Sequence, residues 1–136
     1  MGSFSSMDIS ASGLFAQRKR LDTIASNIAN ATTTRTENGG PYKKQEVVFK
    51  AHLGNFEQGS AGVEVEGIVD SNEPPKMVYD PSHPDAAQDG MVAMPNVNVV
   101  EEMVDMITAT RAYEANVSAI TAARSMAAKA LEIGRG

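Results

Sequence analysis

Asp80-Pro81-Ser82-His83-Pro84-Asp85 sets a hydroxyl, an imidazole and two carboxylates side by side, the ingredients of nucleophilic hydrolysis. Adjacency argues against that use. Catalytic triads gather residues from distant parts of a chain onto a rigid scaffold, and neighbours between two prolines are poorly placed to aim at one another. The stretch reads as a polar turn. His52 is the other histidine, and no HxH or HxxxH spacing joins the two, so no metal site is expected. Glu101, Glu102 and Asp105 could form a paired-carboxylate or cation site. Acids in the first turns of a helix are more simply helix electrostatics, worth ~0.3–1 kcal/mol each. Arg18-Lys19-Arg20 is too short for a nucleic-acid footprint and reads as a solvated flank or an intersubunit salt-bridge donor. Sequons at Asn30 and Asn116 are the kind that arise by chance. No GxxxxGK or GxGxxG loop is present, no cofactor is expected, and the residues argue against an enzyme.

The elements that would have to position such groups fall into three segments of the 136-residue chain. Residues 1–34 carry three basic and two acidic side chains, residues 35–95 five and ten, and residues 96–136 four and five. The acidity is therefore concentrated in the middle. The overall charge of −5 makes nucleic acid and anionic membranes poor partners, and no run of ~20 apolar residues could span a bilayer. There is no Cys and no Trp, which excludes disulfides, thiolate metal sites and a large aromatic core. Met1 to Asp8 holds no basic residue, so a cleaved signal peptide is not expected.

In the first segment an amphipathic helix is predicted from about Ser6 to Ala31, capped by Ser5, Ser6 or Asp8. Met7, Leu14, Leu21 and Ile28 recur every seven residues, Ile24 and Ala31 lie three further on, and Ala11 and Ala25 widen the seam. All six prolines fall between 41 and 95, which excludes a long helix there. Two to four short strands are predicted instead: Lys43–Leu53, the alternating Gly62–Val69, Lys76–Tyr79 and Met91–Met94. Asn98 and Glu101 have capping-box spacing before a helix from Val99 to Ile133, roughly 50 Å long, closed by Gly134 and Gly136. Val99, Met106, Tyr113, Ile120 and Ala127 form one heptad register, with Met103, Thr110, Val117 and Leu131 as its companion. Val100, Val104 and Ile107 occupy one further flank, and Ala109, Ala112, Ala119 and Ala130 another. With so many faces built for contact, self-association or a partner is expected. The fold class is mainly α with a small β region, the long terminal helices paired as an antiparallel coiled coil.

These residues also resemble a known family. Ala25-Ser26-Asn27-Ile28-Ala29-Asn30-Ala31-Thr32-Thr33, late in the first helix, is similar to the signature of axial flagellar proteins, the rod, hook and hook-associated subunits. The stretch 96–120, with Arg111-Ala112-Tyr113-Glu114-Ala115-Asn116, resembles their C-terminal helix, and 41–49 and 79–97 narrow the likeness to proximal rod proteins of the flagellar basal body. The resemblance implies a structural subunit that polymerises helically into a hollow drive shaft and passes the type III export gate without a cleaved signal. It also implies terminal helices that are poorly ordered before assembly. Implied partners are further copies, rod proteins of the FlgB, FlgF and FlgG types, and ring or adaptor components at the base. On this reading Leu14, Leu21, Ile24 and Ile28 face Met103, Met106, Tyr113, Val117 and Ile120. Asn27 and Asn30 bond at the helix end, and Arg111 and Asn116 belong to the assembly motif. Residues 35–95 would form the outer layer. The alternative is a soluble helical adaptor or export chaperone using the same helices for a client.

Overall fold

The computed structural model describes residues 2–53 and 61–135. Two helices, α1 (Gly2–Ala29) and α2 (Val99–Arg135), bracket the strands β1 (Gln45–Leu53), β2 (Ala61–Asp70), β3 (Lys76–Tyr79) and β4 (Met91–Met94). The chain is thus mainly α with a small β region between its helices. α1 begins before Ser6 and Asp8, which lie inside it rather than capping it. Propensity is a weak prior where a partner helix supplies packing. α2 likewise runs through Gly134 to Arg135, because glycine late in a helix costs only about 1 kcal/mol relative to alanine. The side chains of Ser5 and His52, and Gly136, lie outside the described residues.

The α2 start is fixed by Asn98, whose Oδ1 accepts hydrogen bonds from the amides of Val100 at 3.1 Å and Glu101 at 3.3 Å. The α1 end is fixed by Asn30, whose Nδ2 donates to the Ser26 carbonyl at 2.9 Å and whose Oδ1 accepts from Thr33 Oγ1 at 3.2 Å.

β1 and β2 pair antiparallel from Gln45↔Asp70 to Leu53↔Ala61, and β3 with β4 from Lys76↔Met94 to Tyr79↔Met91, as two separate two-stranded sheets. A lone hairpin is marginal in water. The first one leans on α1, where Ser12 Oγ accepts from the Val63 amide at 3.1 Å. Its alternation departs from the sequence pattern. Val48 faces Gly67 but Phe49 faces Val65, so Glu66 is an extra residue and β2 bulges. The shift puts Ile68, opposite Val47, on the face of Val63 and Val65, and turns Val69 to the other side.

In the second hairpin Gly90 has φ +79°, and a Cβ there would lie 2.8 Å from Tyr79 Cε2. Gly90→Ala is therefore expected to destabilise the chain by about 1–3 kcal/mol, read as a lowered urea midpoint, whereas Gly40→Ala, with open space around it and an ordinary φ, should leave the midpoint nearly unchanged.

Among the described residues the buried hydrophobic set is small: Ala16, Ile24, Val92 and Ala109. α1 and α2 pack on each other through Asn27 against Glu102, Arg20 against Asp105, and Gly13 against Asn116. Along α2 the shielded positions are Val99, Glu102, Asp105, Met106, Ala109, Ala112, Tyr113, Asn116, Ile120, Ala123 and Ala127. The Val99–Ala127 heptad register thus lies in the contact. Its companion is not Met103, Thr110, Val117 and Leu131, which are exposed, but Glu102, Ala109, Asn116 and Ala123. On α1, Ala11 and Ala25 are exposed, and Ala16 and Thr23 are buried in their place. Hydropathy ranks Met and Val above Ala and Asn, but closely spaced helices select small side chains. A Cβ on Gly13 would fall 2.9 Å from Asn116 Nδ2.

Candidate assembly site

One polar cluster joins the end of α1, the entry to β1 and the start of α2. Asn27 is 1% exposed and all four of its side-chain hydrogen-bonding positions are used. Its Oδ1 accepts from the Gln45 amide and from the Tyr42 hydroxyl, each at 2.9 Å. Its Nδ2 donates to the Gln45 carbonyl at 2.9 Å and to Glu102 Oε2 at 3.3 Å. The side-chain amide thus behaves as one residue of a neighbouring strand, pairing with both backbone groups of Gln45 as β1 begins. Ser26 Oγ, one residue earlier on α1, lies 3.2 Å from the Tyr42 hydroxyl.

Glu102 is 2% exposed and pairs through Oε1 with Lys44 Nζ at 3.4 Å. Burial of the Lys44 ammonium works to lower its pKa. The charge and hydrogen bond of Glu102, with Glu46 and Glu73 beyond, outweigh it and hold the group above its ordinary 10.5. Lys44 therefore contributes its ion-pair stability fully below that value and loses it only as pH rises through the higher folded pKa. A buried carboxylate with a lysine and an amide donor in place is satisfied; stripped of either it is a penalty. Beside this cluster, Arg20, Ile24, Val47, Phe49 and Asp105 line a cleft of about 210 Å³ between the helices and β1.

A second tie holds the α1 exit to the 80–85 turn. Asp85 accepts from Thr34 Oγ1 at 2.6 Å and pairs with Arg35. The Thr34 hydrogen bond, with Arg35 added against a smaller opposing effect of burial, keeps the Asp85 carboxyl below its ordinary 3.8. Because the folded pKa is the lower one, this stability is complete above 3.8 and is lost as pH falls through the folded value. Asp85→Asn is expected to flatten the acid limb of a urea-midpoint titration run from about pH 6 to about pH 2, with Thr34→Val reproducing much of the effect. The Ser82 hydroxyl in that turn donates to Asp80 Oδ1 at 2.6 Å, and His83 Nδ1 accepts from the Asp85 amide at 3.0 Å. These groups shape the turn; Ser82 is not directed at His83. Among the described residues no three His, Cys, Asp or Glu side chains cluster as a metal site.

Of the residues singled out from sequence, Ile24 and Asn27 are buried. Leu14, Leu21, Ile28, Asn30, Met106, Tyr113, Asn116 and Ile120 are half-buried. Met103, Arg111 and Val117 are exposed on α2, so they do not face α1 within the chain. Tyr42, Lys44, Gln45 and Glu102 complete the junction without standing out in the sequence, where Glu102 reads as helix electrostatics. A carboxylate three residues after Val99 and four before Met106, inside the seam, was the available signal.

A family model described as "Flagella basal body rod protein" matches residues 7–35, and one described as "Flagellar basal body rod FlgEFG protein C-terminal" matches residues 88–133. Both ends of the chain, the two that meet in this junction, thus carry the features of flagellar rod proteins. Over their whole lengths the chain is 45% identical to the flagellar basal-body rod protein FlgC of Borreliella burgdorferi. It is 43% identical to that of Bacillus subtilis, covering 99% of this chain and 100% of the relative. Against that of Salmonella typhimurium it is 42% identical over 94% and 95%. The chain belongs to the FlgC family of flagellar basal-body rod proteins.

Proposed function

We propose that this chain is a structural subunit of the flagellar proximal rod that polymerises through its terminal helices. The observation that carries the reading is the full-length identity to rod proteins, joined at both ends to a helix pair that leaves apolar faces uncovered. Val100, Met103, Val104, Ile107, Leu131 and Ile133 are all more than half exposed, more than a solitary chain would leave in water. Contacts that descend α1 from Asn27 through Arg20 to Gly13 ascend α2 from Glu102 through Asp105 to Asn116, which supports an antiparallel coiled coil. In this arrangement the helical segments 1–34 and 96–136 make the inner wall of a hollow shaft, and 35–95 the outer, acidic layer.

The remaining roles follow from that placement. The subunit passes the type III export gate and acts as a structural element rather than a catalyst. It meets further copies, rod proteins of the FlgB, FlgF and FlgG types, and ring or adaptor components at the base. Among the described residues no helix is long and apolar enough to cross a membrane. Leu14, Leu21, Ile24, Ile28, Met106, Tyr113, Asn116 and Ile120 serve the pair within the subunit. Asn27 and Asn30 set where the chain leaves the helix. Fractionation of purified basal bodies tests the reading: the chain is expected in the rod fraction. Recovery instead in a stoichiometric cytosolic complex, as a soluble adaptor or chaperone would give, overturns it.

A further inference from the structure

Two exposed helix faces remain that nothing among the described residues covers. α1 is the one element in contact with α2 among the described residues, and the face of α2 turned away from it carries Val100, Met103, Val104 and Ile107, 51–69% exposed. On α1 the outward face carries Phe15, 58% exposed, with Lys19 Nζ 5.8 Å from its ring centroid. Exposed charges flank both. On α1 they include Asp8 and Arg18, alongside Lys19 and Asp22; on α2, Glu101 and Arg111. Asp8, Arg18, Glu101 and Arg111 are in no ion pair within the chain among the described residues.

The two flanking pairs have the same spacing. Asp8 to Arg18 and Glu101 to Arg111 each run acid to base over ten residues, about 15 Å of helix. Laid side by side in opposite directions, the two faces bring Asp8 to Arg111 and Arg18 to Glu101, with Phe15 over Val104. Laid in the same direction at that register, they leave Arg18 beside Ile107 and Asp8 without a base.

We propose that the outward face of α1, centred on Phe15, docks antiparallel on the Val100–Ile107 face of α2 in a second copy of this chain. Burial of Phe15 among four aliphatic side chains supplies the attraction, and the two charge pairs at the rim set direction and register. One face meets a different face of the neighbour, so the contact is heterologous and repeats along an open helix unless its rotation happens to close. This gives Arg111 a task that the helix pair does not: it reads the next copy. The inference deepens the rod reading, on which its biological setting rests, while the contact itself is a property of two chains.

The test replaces Phe15 with a photo-reactive aromatic of similar shape, Phe15→p-benzoylphenylalanine, irradiated in purified basal bodies and, separately, in the concentrated purified chain. The expected product is a band of doubled mass whose cross-linked peptide joins position 15 to residues 100–111 of another copy. Cross-links to a different protein, to another part of the chain, or none above the unirradiated control overturn the proposal. A chain absent from basal bodies overturns the rod reading instead, and the purified-chain arm still decides the contact. In parallel, Arg111→Glu is expected to lower the yield of dimer about tenfold, and Asp8→Arg added to it to restore most of the loss. Failure of the second change to rescue the first overturns the pairing.

Discussion

Asn27→Ala is expected to destabilise the chain by about 3–5 kcal/mol, measured by chemical unfolding followed by circular dichroism. The substitution strands the amide and carbonyl of Gln45, removes an acceptor from the Tyr42 hydroxyl and takes a donor from Glu102. Each buried group left without a partner costs about 1–3 kcal/mol, softened where Tyr42 keeps Ser26 and Glu102 keeps Lys44. Asn27→Asp sharpens the test because the shape is almost unchanged. A carboxylate cannot donate to the Gln45 carbonyl, and it would set a second negative charge about where an amide now stands, 3.3 Å from Glu102 Oε2. Asn27→Asp should therefore be at least as damaging as alanine. Asn30→Ala, which loses bonds only to Ser26 and Thr33, should cost about 1 kcal/mol. Equal effects at the two asparagines would remove the hub as the reason for Asn27.

Ala109→Asp and Met103→Asp are expected to differ by at least about 3 kcal/mol in unfolding free energy, with Ala109→Asp the damaging one. Ala109 is completely buried where α2 meets α1, so an aspartate there places a desolvated carboxylate between two helices. Met103 is 51% exposed, and a charge on that face leaves the fold intact. Hydropathy alone gives the opposite order, since methionine outranks alanine as a seam residue. The same pair separates folding from assembly. Met103→Asp should fold normally yet enter basal bodies poorly, because it lies in the face assigned to a second copy.

Much of the architecture was legible because its causes are local. Prolines confined to 41–95 excluded helix there, the Asn98–Glu101 spacing marked the start of α2, and the Val99–Ala127 heptad lies in the helix contact. The companion register failed because α2 carries two apolar stripes and hydropathy favours the bulkier. Which stripe turns inward depends on how near the other backbone comes, and Gly13 and Ala109 let it come close. The β2 bulge was hidden for a similar reason. Alternation in Gly62–Val69 reads the same with or without one extra residue, and only the pairing with Val48 and Phe49 reveals it.

By itself, the sequence determined that this protein has two helical ends around a short acidic β segment, lacks the residues for thiolate or disulfide chemistry, and resembles axial flagellar subunits at both termini. Periodicity, proline placement and short motifs are properties of neighbouring residues, so one strand of text carries them. Tertiary structure alone decided that Asn27, Tyr42, Lys44, Gln45 and Glu102 form one buried junction, and that Arg111 and Met103 look outward. Glu102 lies 75 residues from Asn27, and no local pattern records their meeting at 3.3 Å. A polar side chain becomes structural when a distant segment removes its water and supplies its partners, and that exchange exists only in the folded chain.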